Sequence, residues 1–164
     1  MNFLFILLLS LSAAHSETVY NDREISAILM EANDADISSS KIALKRSKNS
    51  EVKAFADEMI KDHVQANHDL QRAMEKANIT TIKSNKSADI KTTKKDTRKN
   101  LKSLMGIDFD KAYAENEVVV HTQILNSLDQ DLIPNAKSPN LKDYLSKTRT
   151  SISAHLEHAK HLQS

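Results

Sequence analysis

Apolar residues return every three or four positions through most of this chain, and that period suits one kind of secondary structure. From Val52 the series runs through Ala56, Met59, Ala66, Leu70, Ala73 and Ala77, the spacing of a single α-helical face. One position in it, where a leucine would fit, is His63. Three more stretches share the period. Residues 22–48 carry Ile25, Leu29, Ala32 and Ala43 on one stripe, flanked by Ile28, Ala35 and Ile42. Ser50 then reads as the N-cap of the second helix. The third opens at Asp108, read as a cap, and carries Tyr113, Val120, Ile124, Leu128 and Leu132. Pro134 and Pro139 interrupt the chain, and Pro139 suits a first helical turn. The fourth carries Leu141, Leu145, Thr148, Ile152, Ala159 and Leu162.

One Gly and two Pro in 164 residues leave few tight turns, so an all-α fold is expected and a strand-rich one is not. The length suits one domain. A formal net charge of +1 gives no bulk attraction to nucleic acid or to a charged membrane. Residues 1–16, MNFLFILLLSLSAAHS, read as a signal peptide, with an apolar run and Ala14 and Ser16 placed for cleavage before Glu17. The mature domain, 17–164, is therefore expected to be exported, periplasmic or secreted. That run is too short for a transmembrane anchor, which needs about 20 apolar residues. The chain has no Cys, so packing rather than disulfides must hold it.

Residues 79–107 separate the second and third helices, a span far longer than the two to eight residues usual between bundle neighbours. Its basic run KSNKSADIKTTKKDTRKNLK places Ile90, Leu101, Leu104 and Met105 at roughly helical spacing. A short extra helix on a crossover running the length of the molecule is expected. The run lacks interleaved aromatics, so it offers no stacking platform for nucleic acid. Short loops within each pair and one long crossover describe a ferritin-like four-helix bundle, the alternative being a plain up-down bundle.

Each helix breaks its apolar stripe with an ionisable residue: Asp36, His63, His155, and Glu117 with His121 one turn apart beside the third stripe. Counted from the helix ends at 1.5 Å per residue, Asp36 and His63 lie roughly 20 Å deep and His121 and His155 roughly 22 to 24 Å, nearly one layer. An isolated buried imidazole or carboxylate costs on the order of several kcal/mol, and grouping them offsets much of that. A mutual hydrogen-bond network could do it. So could a divalent ion on deprotonated ligands, with three His and one Asp suiting Zn, Fe or Mn and Glu117 a further oxygen. His68, His158 and His161 fall outside the layer, Asp62 reads as a surface charge, and Tyr113 and Met59 read as core.

The runs EVKAFADEMIKDHVQANHDL, LKSLMGIDFDKAYAENEVVVH and LKDYLSKTRTSISAHLEHAKHL resemble the bacterial exported proteins grouped as domain of unknown function 4142, often labelled outer-membrane proteins. The resemblance implies a ferritin-like bundle of the periplasm or envelope with no established activity. It sets Asp36, His63, His121 and His155 at recurrent polar positions of the family, which often has Glu in place of Asp36. Arg149-Thr150 stands where the family commonly has Leu-Pro, so a proline kink in the last helix is not expected. Nothing in the mature chain resembles barrel strands.

The di-iron pattern of ferritin-like proteins needs Glu-x-x-His on two helices, whereas Glu117 to His121 and Glu157 to His161 are each four apart. No Gly-rich elbow presents a nucleophilic Ser. A non-catalytic metal-binding bundle is thus the leading expectation. A metal-free interaction module, whose polar layer only fixes helix register, is the alternative.

Overall fold

A computed structural model describes residues 19–163; the signal peptide expected at 1–16 lies outside them. Among the described residues every element is helical: α1 (Asp22–Arg46), α2 (Ser50–Ala77), α3 (Asn85–Ser103), α4 (Gly106–Ser127), a π-helical stretch Leu128–Leu132, one turn α5 (Ile133–Asn135), and α6 (Pro139–His161).

The boundaries follow local chemistry, with three differences from the sequence reading. Asn49, not Ser50, caps α2, its side chain accepting from the amides of Glu51 and Val52. α4 starts at Gly106 behind Met105, which makes no side-chain cap bond. Gly106 sits at φ +59, a conformation glycine adopts without penalty, and that turn starts the helix two residues before Asp108. Asp108 instead lies in the first turn, where its charge complements the helix dipole. α1 ends at Arg46 because Ser47 adopts an extended conformation.

The crossover helix is longer than expected, 19 residues. Leu101 is buried and Ile90 half-buried, whereas Met105 is 77% exposed.

Helix directions follow from side-chain contacts. Arg23 Nε donates to the Thr80 carbonyl, so α2 ends where α1 begins. Lys94 pairs with Glu31 at 2.9 Å and Arg98 donates to Ser38 at 2.8 Å, which makes α3 parallel to α1. Ser39 bonds Glu117 on α4, and Asp22 accepts from the amides of Lys137 and Ser138 just before α6. α1 and α6 therefore run one way, α2 and α4 the other, and α3 carries the chain back between the pairs. This is the long-crossover connectivity. Replacing Asp22 with Ala removes both bonds at the start of α6, and a loss of about 0.5–2 kcal/mol, typical of a helix N-terminal side-chain bond, is expected in thermal melts.

The apolar interior is divided. Ile25, Ile28, Leu29, Leu70, Leu128 and Leu141 belong to one cluster. Val52, Phe55, Met59, Phe109, Tyr113 and Ala159 belong to the other. In each long helix, the polar positions read from the sequence fall between these groups.

Candidate metal centre

All five sequence-derived positions are buried: Asp36 6% exposed, His63 5%, Glu117 0%, His121 1% and His155 4%. The buried stripe of α4 runs through Phe109, Tyr113, Glu117 and His121. Glu117 and His121 thus lie on that stripe rather than beside it. Val120 and Ile124, expected on the stripe, are half-buried. On α1 the stripe passes through Asn33 in place of Ala32.

The three imidazoles form a near-equilateral group, with ring centroids 5.9 Å apart for His63–His121, 5.4 Å for His63–His155 and 5.5 Å for His121–His155. One ligating atom from each lies within 4.8 Å of the other two. Asp36 Oδ2 stands 3.5 Å from His63 Nε2 and 3.6 Å from His121 Nε2. Two ligands on a tetrahedron with bonds of about 2.0–2.1 Å are separated by roughly 3.3 Å, so the two Asp36 spacings are close to those around a shared ion.

Hydrogen bonds fix which nitrogen of each ring carries the proton. His63 Nδ1 is 3.0 Å from Asn33 Oδ1. That oxygen can only accept, and Asn33 Nδ2 donates onward to Asn67. His121 Nδ1 is 2.8 Å from the Glu117 backbone carbonyl, also an acceptor. His155 Nε2 donates to Asp62 Oδ2 at 2.9 Å. In the neutral rings the lone pairs therefore sit on His63 Nε2, His121 Nε2 and His155 Nδ1. These three buried nitrogens find no hydrogen-bond partner among the described residues. Outward hydrogen bonds that orient inward lone pairs are the usual support around metal-ligating histidines.

The carboxyls differ in charge state. Burial lowers the affinity of His63 and of His121 for a proton, more than the Asp36 charge restores it. Burial pushes Asp36 up, but His63, His121 and hydrogen bonds from Glu117 and Ser40 together outweigh it and hold the group below its ordinary value. Glu117 is raised well above the carboxylate range, by burial first and then by the Asp36 charge. Its Oε1 accepts from Ser39 at 3.1 Å and Asn116 at 3.2 Å, and a protonated Oε2 can donate to Asp36. Ser40 bonds Asp36 Oδ1 at 3.1 Å and the Tyr113 hydroxyl at 2.9 Å. Tyr113, read as core packing, thus also anchors the site through its hydroxyl. Burial, then the charges of Glu117 and Asp36, raise that phenol well above its ordinary value.

Asp62, read as a surface charge, is half-exposed yet reaches across to His155 from α2. Asn33 does not stand out in the sequence; its only signal is its place three residues before Asp36 on the same helix face. His158 pairs with exposed Glu58 at 3.1 Å and packs edge-on against Phe55. His68 and His161 are exposed. All three stand outside the imidazole group.

The pH dependence of stability has opposed parts. His63 and His121 titrate lower in the folded chain than unfolded, so their contribution is present above about pH 6.5 and lost as pH falls below it. Glu117 acts the other way, its contribution present below about pH 4.5 and lost as pH rises through its elevated folded value. In a Glu117→Gln variant the second effect is gone. Metal-free protein is then expected to lose thermal stability steadily from about pH 7.5 to about 5.5, and a flat profile would contradict the burial of neutral imidazoles.

Residues 9–162 match the family model described as Domain of unknown function (DUF4142). No curated protein and no solved structure matches the chain.

Proposed function

We propose, from the premise that this chain belongs to the family of domain of unknown function 4142, that it is an exported helical bundle that binds one divalent transition-metal ion in mid-bundle. The observation that carries this reading is the orientation of the rings. Three imidazoles each spend one ring nitrogen on a hydrogen bond, to Asn33, to the Glu117 carbonyl and to Asp62, keep the other buried without a partner, and bring one ring nitrogen apiece within 4.8 Å of the other two. Asp36 sets an anionic oxygen 3.5 Å from His63 Nε2 and 3.6 Å from His121 Nε2. Three nitrogens and one oxygen suit Zn, Fe or Mn, and without a Cys thiolate the site lacks the donor that soft ions select. His63, His121, His155 and Asp36 would hold the ion, with Glu117 as a further oxygen beside Asp36 and His121.

The apolar run at 3–11 supports export, with removal of residues 1–16. No helix among the described residues is long and apolar enough to cross a membrane. The reading is of a protein that holds an ion rather than one that turns over a substrate. Its test is calorimetric titration of chelator-treated protein with Zn2+, Mn2+ and Fe2+ in turn. Saturable uptake of one equivalent of at least one ion is expected. No stoichiometric uptake of any of the three would overturn it.

A further inference from the structure

Two clefts reach the imidazole layer. One, about 450 Å3, lies between α2 and α6 and is bordered by charged side chains including Asp62, Asp69, Arg72, Lys76 and Lys147. The other, about 280 Å3, lies beneath α3. Leu29, Ala32, Ile90, Val120, Ile124 and Ile152 give it an apolar wall, and Asp36, His63 and His121 line it as well. A mostly apolar chamber that opens onto a convergent set of polar groups is the form of a small-molecule site.

We infer that this second cavity binds a small aliphatic monocarboxylic acid, its hydrocarbon part among the apolar side chains and one carboxylate oxygen on the ion. The inference rests on the metal reading above and adds a ligand class to it. An ion held by three imidazoles and one carboxylate keeps room for another donor, since zinc expands from four to five ligands and octahedral sites take six. A carboxylate oxygen is a donor that these ions accept beside nitrogen. Thr148 and Gln123 on the cavity wall carry a hydroxyl and an amide able to donate to the second oxygen. The volume, about 280 Å3, admits a short chain.

The outer wall of the cavity is also the part of the fold best suited to admit a ligand. α3 buries only Ser87 and Leu101. Over the cavity Ile90 packs against the first apolar cluster, and the polar side-chain contacts to α1 are Lys94 to Glu31 and Arg98 to Ser38. A helix with so little buried area opens at lower free energy than the four that build the core.

The test uses the full mature chain loaded with cobalt(II), whose visible bands report coordination, titrated with hexanoate and with acetate. Hexanoate is expected to shift the bands saturably and to bind at least about tenfold more tightly than acetate, because each buried methylene adds apolar transfer. Ala32→Phe and Ile90→Phe, which fill the cavity from α1 and from α3, are expected to keep the cobalt bands and lose the hexanoate shift. Equal responses to the two acids, no response to either, or an undiminished hexanoate shift in both variants would overturn the cavity inference while leaving the metal reading intact. Absence of any cobalt spectrum would overturn the metal centre, and this ligand with it.

Discussion

His63→Ala is expected to weaken metal uptake at least a hundredfold, because the substitution removes a donor from the ion itself. Loss of an outer hydrogen-bond partner alone typically costs 10–100-fold, so the change should exceed that range. His155→Ala should match it, and Asn33→Ala, which releases only the ring orientation of His63, should fall within it. Thermal melts give the same answer independently. An ion at about 100 times its dissociation constant stabilises the folded chain by about 2.7 kcal/mol, a rise of roughly 5–10 °C for a domain of this size. Wild type should show that rise and His63→Ala should not. A variant that retains wild-type affinity would remove His63 from the ion's surroundings. The metal-free alternative makes a different forecast. If the polar layer only fixes register, His63→Leu with His155→Leu leaves or raises stability and no ion changes the melting of wild type.

Phe55→Ala is expected to carry the largest stability loss in the chain, about 3–5 kcal/mol. Phe55 is 0% exposed and packs edge-on against Tyr113 at 6.2 Å and His158 at 5.0 Å. A domain of this size has only about 5–15 kcal/mol in all, and no disulfide supports this one. Urea unfolding with an unchanged slope and a lower midpoint is the expected result. A loss under about 1 kcal/mol would mean that this half of the interior repacks freely.

The periodicity of the sequence was enough to place the four long helices, because each buries one continuous stripe. The same count brought out Asp36, His63, His121 and His155, since a polar residue inside an apolar series at matched depth is visible without coordinates. Direction was not visible in that way. Asp62 lies one residue from His63, about 100° around the helix, and reads as solvent-facing. Its carboxylate nonetheless reaches His155, because the α2–α6 cleft beside it is open. Tyr113 looked like packing because its ring is packing, and only the Ser40 contact discloses the hydroxyl. Ala32 and Val120, on the apolar stripes, and Ile42, which flanks one, are half-buried. The α1 stripe takes Asn33, and Ala32 and Val120 line the cavity under α3. A regular period says which positions face inward, not whether the space there is filled.

The partition of the interior has a consequence for how the molecule could respond to its surroundings. Leu29 and Leu70 belong to one apolar compartment, Phe55 and Phe109 to the other, with the imidazoles and carboxyls as the seam. A substitution deep in either compartment has no direct packing path to the other. Any event at the seam, such as arrival of an ion or of a proton, touches both at once and on all four long helices.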